Sequence, residues 1–360
     1  MNNIFYNAEK LYDQELITLI EHFRNIALTV EQNPDYVLLE GYHKDIDKFI
    51  LYDRDSLCFT RTKLFEAFAY GDTGVLMSTP GPGLAGILIR NMGSKEQQDI
   101  FFNTLQSRKY RTFFALTEAK KGSDATNIDS YLDKNLYLNA EKWLIGNGAV
   151  SPLGVLFARS DDRPFGIKVI LLLENSFNAN NCKRYIIPTI GLKGAQLSYL
   201  NFYNLKIDKE CILESEQSSI ASNAIYSMLK TFNLMRPSVA AIAIGQAQAM
   251  LDYMFYIKYK DPFLNWANHH LAHIRLLNRQ AAEQADQNPL IGDLSSLSKA
   301  KATNIVKLIR DKISSILKDD LLAHPWFLKV YRDSYGYEYM EGTSDIQYIN
   351  IYNAYRQKLL

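Results

Sequence analysis

Apolar residues recur at helical spacing through the first third of the chain. Leu11, Leu16, Ile17, Ile20 and Phe23 form one stripe, and Leu64, Phe65, Phe68 and Ala69 form another. Residues three and four apart share a face of an α-helix, so both stretches predict amphipathic helices. Thr79-Pro80-Gly81-Pro82-Gly83 breaks the pattern, and Leu84 to Ile89 resumes it. Ser94 with Gln97 three residues on has the spacing of a capping box that opens a further helix. Near Tyr110 the texture changes. Short apolar runs at Phe113–Leu116, Tyr137–Asn139, Lys142–Ile145, Gly154–Arg159, Ile167–Leu173, Tyr199–Tyr203 and Leu205–Ile207 predict strands. With turn residues between them, they predict an antiparallel barrel or sandwich. From about Glu216 the helical period returns. Val239, Ala243, Gln246, Ala247, Met250 and Leu251 predict a buried helix of small residues, and Ala300, Thr303, Val306, Lys307 and Ile309 predict another. The fold class is therefore α+β, with an N-terminal helical domain (1–110), a central β-barrel or β-sandwich domain (111–215) and a C-terminal helical domain (216–360).

Composition narrows this picture by exclusion. The 360 residues are 47% hydrophobic and 12% aromatic, which excludes a disordered chain. Lys+Arg (40) balances Asp+Glu (39), so no global field favours nucleic acid or an acidic membrane. Cys58, Cys182 and Cys211 are odd in number and widely spaced, as reduced thiols of a cytosolic protein would be. The N-terminus lacks a basic region followed by an apolar run. The longest apolar candidate, Val239 to Leu251, is broken by Gly245, Gln246 and Gln248 and is too short to span a bilayer. A cytoplasmic protein is expected. His269 and His273 have an i,i+4 spacing that can bind metal, but no glutamate follows the first histidine, and no metal site is expected. Trp143, Trp266 and Trp326 read as core aromatics from their type alone. Glycine is scarce in one region: between Ala195 and Tyr335 only Gly245 and Gly292 occur.

Four collinear segments carry a family signature. The first is Phe114-Ala115-Leu116-Thr117-Glu118-Ala119-Lys120-Lys121-Gly122-Ser123-Asp124. The second is Leu138-Asn139-Ala140-Glu141-Lys142-Trp143-Leu144-Ile145-Gly146-Asn147-Gly148. The third is Arg236-Pro237 with Ala240-Ala241 and Gly245-Gln246-Ala247. The fourth is Arg332-Asp333 followed by Met340-Glu341-Gly342-Thr343-Ser344-Asp345-Ile346-Gln347. Together, from about Lys63 to the C-terminus, they resemble the acyl-CoA dehydrogenase family. The resemblance implies a C-terminal four-helix bundle, bound FAD, assembly as a homodimer or homotetramer, and oxidation of an acyl thioester.

That chemistry needs a base near the α-carbon, a site that polarises the thioester carbonyl, and a flavin against the Cα–Cβ bond. The resemblance places Glu341 as the base, with its own backbone N–H polarising the carbonyl. Gly342 allows close backbone approach to the substrate. Leu116, Thr117, Gly122, Ser123, Trp143 and Gly146 match positions along the flavin, and Thr343 and Asp345 match positions near its adenosine half. Ser123, Phe232, Arg236 and Gly342 match the substrate pocket. Taken singly, Glu341 is equally a helix N-terminal carboxylate favoured by the dipole.

Several positions depart from the family pattern. Leu144 stands where a flavin-facing tryptophan is expected, and Gly146 where a threonine hydroxyl is expected. Asp261 falls at or near a cofactor-binding arginine, and Lys318 to His324 replaces a glycine-rich loop. The retained base with an altered cofactor grip leaves three readings. The first is oxidation of an acyl, hydroxyacyl or aminoacyl group tethered to a carrier protein in specialised metabolism. The second is an ordinary short- or medium-chain acyl-CoA dehydrogenase. The third is a degenerate, non-catalytic scaffold or binding partner. Lys120 and Lys121 are either solvated surface lysines or a receptor for phosphate or an acidic carrier-protein helix.

Overall fold

The computed structural model describes residues 8–51, 57–122, 124, 127–161, 166–177, 180–213 and 224–359. Among the described residues, five α-helices come first: α1 (Ala8–Leu11), α2 (Gln14–Gln32), α3 (Cys58–Ser78), α4 (Gly83–Met92) and α5 (Lys95–Arg108). Eight strands follow: β1 (Phe113–Ala115), β2 (Tyr131–Leu132), β3 (Tyr137–Ile145), β4 (Gly154–Arg159), β5 (Ile167–Leu172), β6 (Cys182–Ile186), β7 (Ser198–Lys206) and β8 (Ile212–Leu213). The last helices are α6 (Ala224–Tyr256), α7 (Pro262–Gln287), α8 (Asp293–Leu317), α9 (Pro325–Asp333) and α10 (Ser344–Leu359).

The local signals act as the sequence predicts. The Pro-Gly run separates α3 from α4, since two prolines and a glycine cannot continue a helix. Ser94 accepts from the Gln97 N–H while Gln97 Oε1 accepts from the Ser94 N–H, a complete capping box at the start of α5. The predicted helix through Ala300, Thr303, Val306 and Ile309 forms as α8, with one of its five positions off the buried face. On α8 the buried face runs through Ser295, Lys299, Ala302, Thr303, Val306 and Ile309, and Lys307 is exposed. A lysine thus sits on the core face, and its neighbour eight residues on points to solvent.

The sheet is mixed and open, in the order β6-β7-β3-β2-β4-β5-β8, with β1 added alongside β4. Most pairings are antiparallel, but β4 runs parallel to both β1 and β2. The expected barrel does not close; of the two alternatives the sheet forms the sandwich. Leu138 and Ala140 of β3 and Leu200 and Phe202 of β7 pack on Leu156, Ala158, Ile170 and Leu172 of β4 and β5. The other face of β4 and β5, through Val155, Phe157, Val169 and Leu171, packs on the helices through Leu88, Phe101 and Met228. Burial on both faces explains why β4 and β5 read as continuous apolar runs rather than alternating ones.

The helical core is shared by both ends of the chain. Phe23, Phe68 and Ala69 of α2 and α3 join Ala243, Ala247, Val306 and Phe327 of α6, α8 and α9 in one cluster. The 33-residue α6 can run through its centre because it offers small residues. A Cβ at Gly245 would overlap the Glu66 carbonyl oxygen, so glycine is what lets α3 and α6 approach. Pro237 lies inside α6 and cannot donate to the carbonyl four residues back. That carbonyl, Asn233 O, accepts instead from the Ser295 hydroxyl of α8 at 3.0 Å. Lys329 of α9 bridges two buried carboxylates, Asp72 of α3 (2.7 Å) and Asp333 (2.6 Å). Asp333 also accepts from the Leu192 N–H at 2.6 Å, which ties α9 to the segment leading into β7.

Candidate active site

Glu341 stands in the turn between a 3-10 segment, Gly336–Glu338, and α10. Its φ is +55°, and that of Gly342 is +97°. A Cβ on Gly342 would come within 3.0 Å of Gln347 Nε2 and 3.2 Å of Ile346 Cγ2, so the Glu-Gly order is dictated by the turn. The turn's carbonyl groups are held by side chains. Gln347, buried on α10, donates to Glu341 O and Gly342 O, both at 3.0 Å. Arg236 of α6 approaches Glu341 O at 3.4 Å and bonds Asn233 Oδ1 at 2.9 Å. Lys299 of α8 donates to Glu338 O at 2.9 Å and Gly342 O at 2.7 Å. The Glu338 carboxylate caps α10 by accepting from the Ser344 N–H at 2.7 Å and from its hydroxyl at 2.8 Å.

This surround sets the charge state of the site. Burial pushes the Glu341 carboxyl up to about 7, while Arg236 and Lys299 restrain the rise. Burial likewise lowers Arg236 to about 10, partly offset by Glu341, and Lys299 to about 8, partly offset by Glu338 and then by Glu341. A half-buried carboxyl that ionises near neutrality, with two cations facing it, has the properties of a general base.

The motif segments converge through contacts. The Arg236 guanidinium lies 5.7 Å from the Phe232 ring centroid, one turn away on α6. Phe232 meets Phe114 of β1 edge to face at 5.9 Å, and Phe114 in turn packs on Phe157 at 4.9 Å. Leu116 and Thr117 continue directly from β1. Their carbonyls are gripped by β3: Lys142 Nζ donates to Leu116 O (3.1 Å) and the Trp143 N–H to Thr117 O (2.9 Å). Lys142 is fully buried and also pairs with Glu118 at 2.8 Å. Burial lowers Lys142 to about 8, against the pull of Glu118. For Glu118 burial opposes ionisation, but Lys142 and the Asp129 N–H hold the carboxyl below its ordinary value.

Beyond Lys142, β3 bulges. Its register against β7 shifts between Lys142 and Ile145, and Leu144 adopts φ +57°. The bulge turns both Trp143 and Leu144 away from the core. Trp143 meets Tyr199 edge to face at 5.8 Å, and Leu144 is 45% exposed. Two observations here fit a planar, hydrogen-bonding cofactor. Among the described residues, Asn147 Oδ1 is buried with no hydrogen-bond partner and a Cβ on Gly146 would meet the Ala195 oxygen alone, at 3.7 Å. Gly122 is exposed, Thr343 half-buried and Asp345 exposed at the start of α10. Ser123 lies outside the described residues.

Other expectations resolve within the chain. Asp261 N-caps α7 through the Phe263 N–H (2.8 Å) and pairs with Lys312 (3.2 Å). Lys121 is held by Asp129 (2.5 Å) and Asn127 (3.2 Å), whereas Lys120 is exposed. His270 stacks on Trp266 at 5.0 Å, and among the described residues no group of three His, Cys, Asp or Glu side chains could hold a metal. No described helix is long and apolar enough to cross a membrane. Sequence reasoning did not find Lys299, Glu338 or the Lys142–Glu118 pair. A signal existed for Lys299, which falls in register with the buried face of α8.

Known proteins bear on this geometry. Residues 113–205 match the profile of the acyl-CoA dehydrogenase middle domain, and residues 225–355 that of the acyl-CoA dehydrogenase C-terminal domain. A curated relative, the probable medium-chain specific acyl-CoA dehydrogenase 2, mitochondrial, of Caenorhabditis briggsae, is 24% identical over 312 residues, 81% of this chain and 74% of the relative. The fold is similar to that of the glutaryl-coenzyme A dehydrogenase–glutaryl-CoA complex, with TM-score 0.80, 20% identity and 96% of each chain covered. It is also similar to the prolyl acyl carrier protein oxidase AnaB, with TM-score 0.78, 15% identity, and 95% of this chain and 99% of that one covered.

Proposed function

The chain belongs to the acyl-CoA dehydrogenase family, whose members are FAD-dependent oxidoreductases, and from that premise we propose that it dehydrogenates a carrier-protein-tethered acyl, hydroxyacyl or aminoacyl thioester with Glu341 as the base. The observation that carries the base assignment is the Glu341 turn: a carboxyl raised to about 7 by burial, facing Arg236 and Lys299. At neutral pH a substantial share of it is ionised. The ionised form has lost most of its hydration, which favours taking a proton from a carbon acid. Phe232 and Arg236 form the wall of α6 beside it and, with Gly342 and Ser123, would line the path of the thioester arm. Leu116, Thr117, Gly122, Ser123, Trp143 and Gly146 would lie along FAD, with Thr343 and Asp345 toward its adenosine half. When bound, FAD supplies the acceptor for the hydride that leaves as the proton is removed.

Carrier-protein presentation is supported by the likeness to AnaB and by the departures at Leu144 and Gly146, and exposed Lys120 is available to an acidic helix. An acyl-CoA substrate is the second reading, favoured by the equally close fold of glutaryl-coenzyme A dehydrogenase. The exposed stripe Tyr348, Ile349, Tyr352 and Tyr355 on α10 offers a seam for a homodimer or homotetramer. Anaerobic flavin reduction with matched acyl-CoA and acyl-carrier thioesters tests the proposal. Faster reduction by the carrier form is expected, and reduction by the CoA form alone would overturn it. Glu341→Gln should slow reduction by about 10²–10⁴-fold with FAD occupancy unchanged.

A further inference from the structure

Glu341 holds a backbone conformation disfavoured for any residue with a Cβ, at φ +55°. The turn persists because side chains from α6, α8 and α10 hold its carbonyl groups. Lys299 differs from the other two. Its Nζ bonds carbonyls on both sides of Glu341, Glu338 O at 2.9 Å and Gly342 O at 2.7 Å. It is fully buried, and among the described residues no carboxylate lies within ion-pair distance of it. An ammonium buried on backbone carbonyls alone is costly to keep, and an apolar residue would serve a merely structural helix better.

We propose that Lys299 is a positioning residue for Glu341: its ammonium pins the two carbonyls that bracket the turn, and as a cation facing the site from α8 it keeps the carboxylate ionisable. The proposal rests on Glu341 being the base. The charged groups around the pair are few. Arg236 faces them from α6, and the Glu338 carboxylate is turned to cap Ser344. Met340 beside them packs on the apolar cluster of Ile87, Met235 and Val239 from α4 and α6. Among the described residues, loss of the Lys299 cation therefore leaves Arg236 to restrain the Glu341 carboxyl, as the direction of its effect on that carboxyl also indicates.

The test reads the Glu341 carboxyl directly. Infrared difference titration of the FAD-loaded full chain, each protein against its Glu341→Gln counterpart, gives the midpoint for wild type, Lys299→Met and Lys299→Arg. Lys299→Met should move the midpoint up by about one pH unit, a tenfold change in the ionisation constant. Lys299→Arg, which keeps the charge, should move it by less than half as much. At pH 7 the rate of flavin reduction by substrate should fall in the methionine variant while KM stays within about threefold. An unmoved midpoint in Lys299→Met overturns the inference, as does an arginine variant that shifts as far as the methionine one. Should Lys299→Met fail to fold, Lys299→Gln, a donor without charge, gives the same comparison. A moved midpoint with no flavin reduction by any thioester in wild type upholds the effect of Lys299 on the carboxyl and overturns the assignment of Glu341 as base.

Discussion

Replacing Glu341 with glutamine should make the protein more stable at alkaline pH, and by an amount that depends on pH. Burial raises the carboxyl from 4.5 to about 7. At 1.36 kcal/mol per pH unit this corresponds to about 3 kcal/mol, trimmed to about 2–3 by the partial exposure of the side chain. The sign follows from proton binding. The folded state holds the proton more tightly than the unfolded state does. The stability this confers is complete below about pH 4.5 and is lost as pH rises through 7. Above that, the folded chain carries a poorly hydrated carboxylate. Glutamine is nearly isosteric and does not titrate. Urea unfolding of the FAD-loaded proteins at equal concentration should therefore give similar midpoints near pH 5. By pH 8.5 the variant should be about 2–3 kcal/mol more stable. Carboxylates elsewhere titrate alike in both proteins and cancel. Lys299 loses a favourable neighbour in the variant, which reduces the gain without reversing it. A stability difference that stays constant from pH 5 to 8.5, or that favours wild type as pH rises, would refute the reasoning that Glu341 is held in a desolvated site. The catalytic consequence runs the other way, since the same change removes the proposed base, so stability and activity should separate in one variant.

Three further substitutions, one of them a control, probe the scaffold of the site. Lys142→Met leaves Glu118 buried without its cation and frees the Leu116 carbonyl. A loss of about 3–5 kcal/mol in unfolding free energy is expected, with weaker retention of FAD on dilution, followed by flavin fluorescence. Gly245→Ala forces a methyl group into the Glu66 backbone; it should cost about 1–3 kcal/mol by thermal or urea unfolding, whereas Gly122→Ala, with its nearest contact at 4.0 Å, should cost far less.

Much of the fold is legible because its signals are local. The Ser94–Gln97 box and the Pro-Gly break act within a few residues, so sequence spacing alone reports them. Strand edges are harder. The strand β6 (Cys182–Ile186) is missed because its side chains are mostly exposed, leaving no apolar alternation to read. The two predicted halves of β3, 137–139 and 142–145, form one strand because the residues between them, Ala140 and Glu141, pair with Phe202 and Asn201 of β7 beyond a register shift at Leu138–Ala140 that interrupts the pattern but not the ladder. The candidate site is legible at Glu341 and Gly342, where the turn and the proposed base share one short motif.

The sequence by itself determined the order of helices, strands and helices, the family, and the position of the candidate base. Each rests on spacing or a motif that acts within a few residues. Only the tertiary structure decided what surrounds that base. Lys299 is brought to the turn from 42 residues away, and Arg236 from 105. The carbonyl freed by Pro237 is satisfied by Ser295, 62 residues on. Which buried cation faces which carboxyl depends on how α6, α8 and α10 pack, and helix packing is fixed by the fit of whole faces rather than by any local run of residues. The scarcity of glycine in this region has the same origin. Gly245 and Gly292 remain where a side chain would collide with Glu66 and Asn233, contacts that no local pattern discloses.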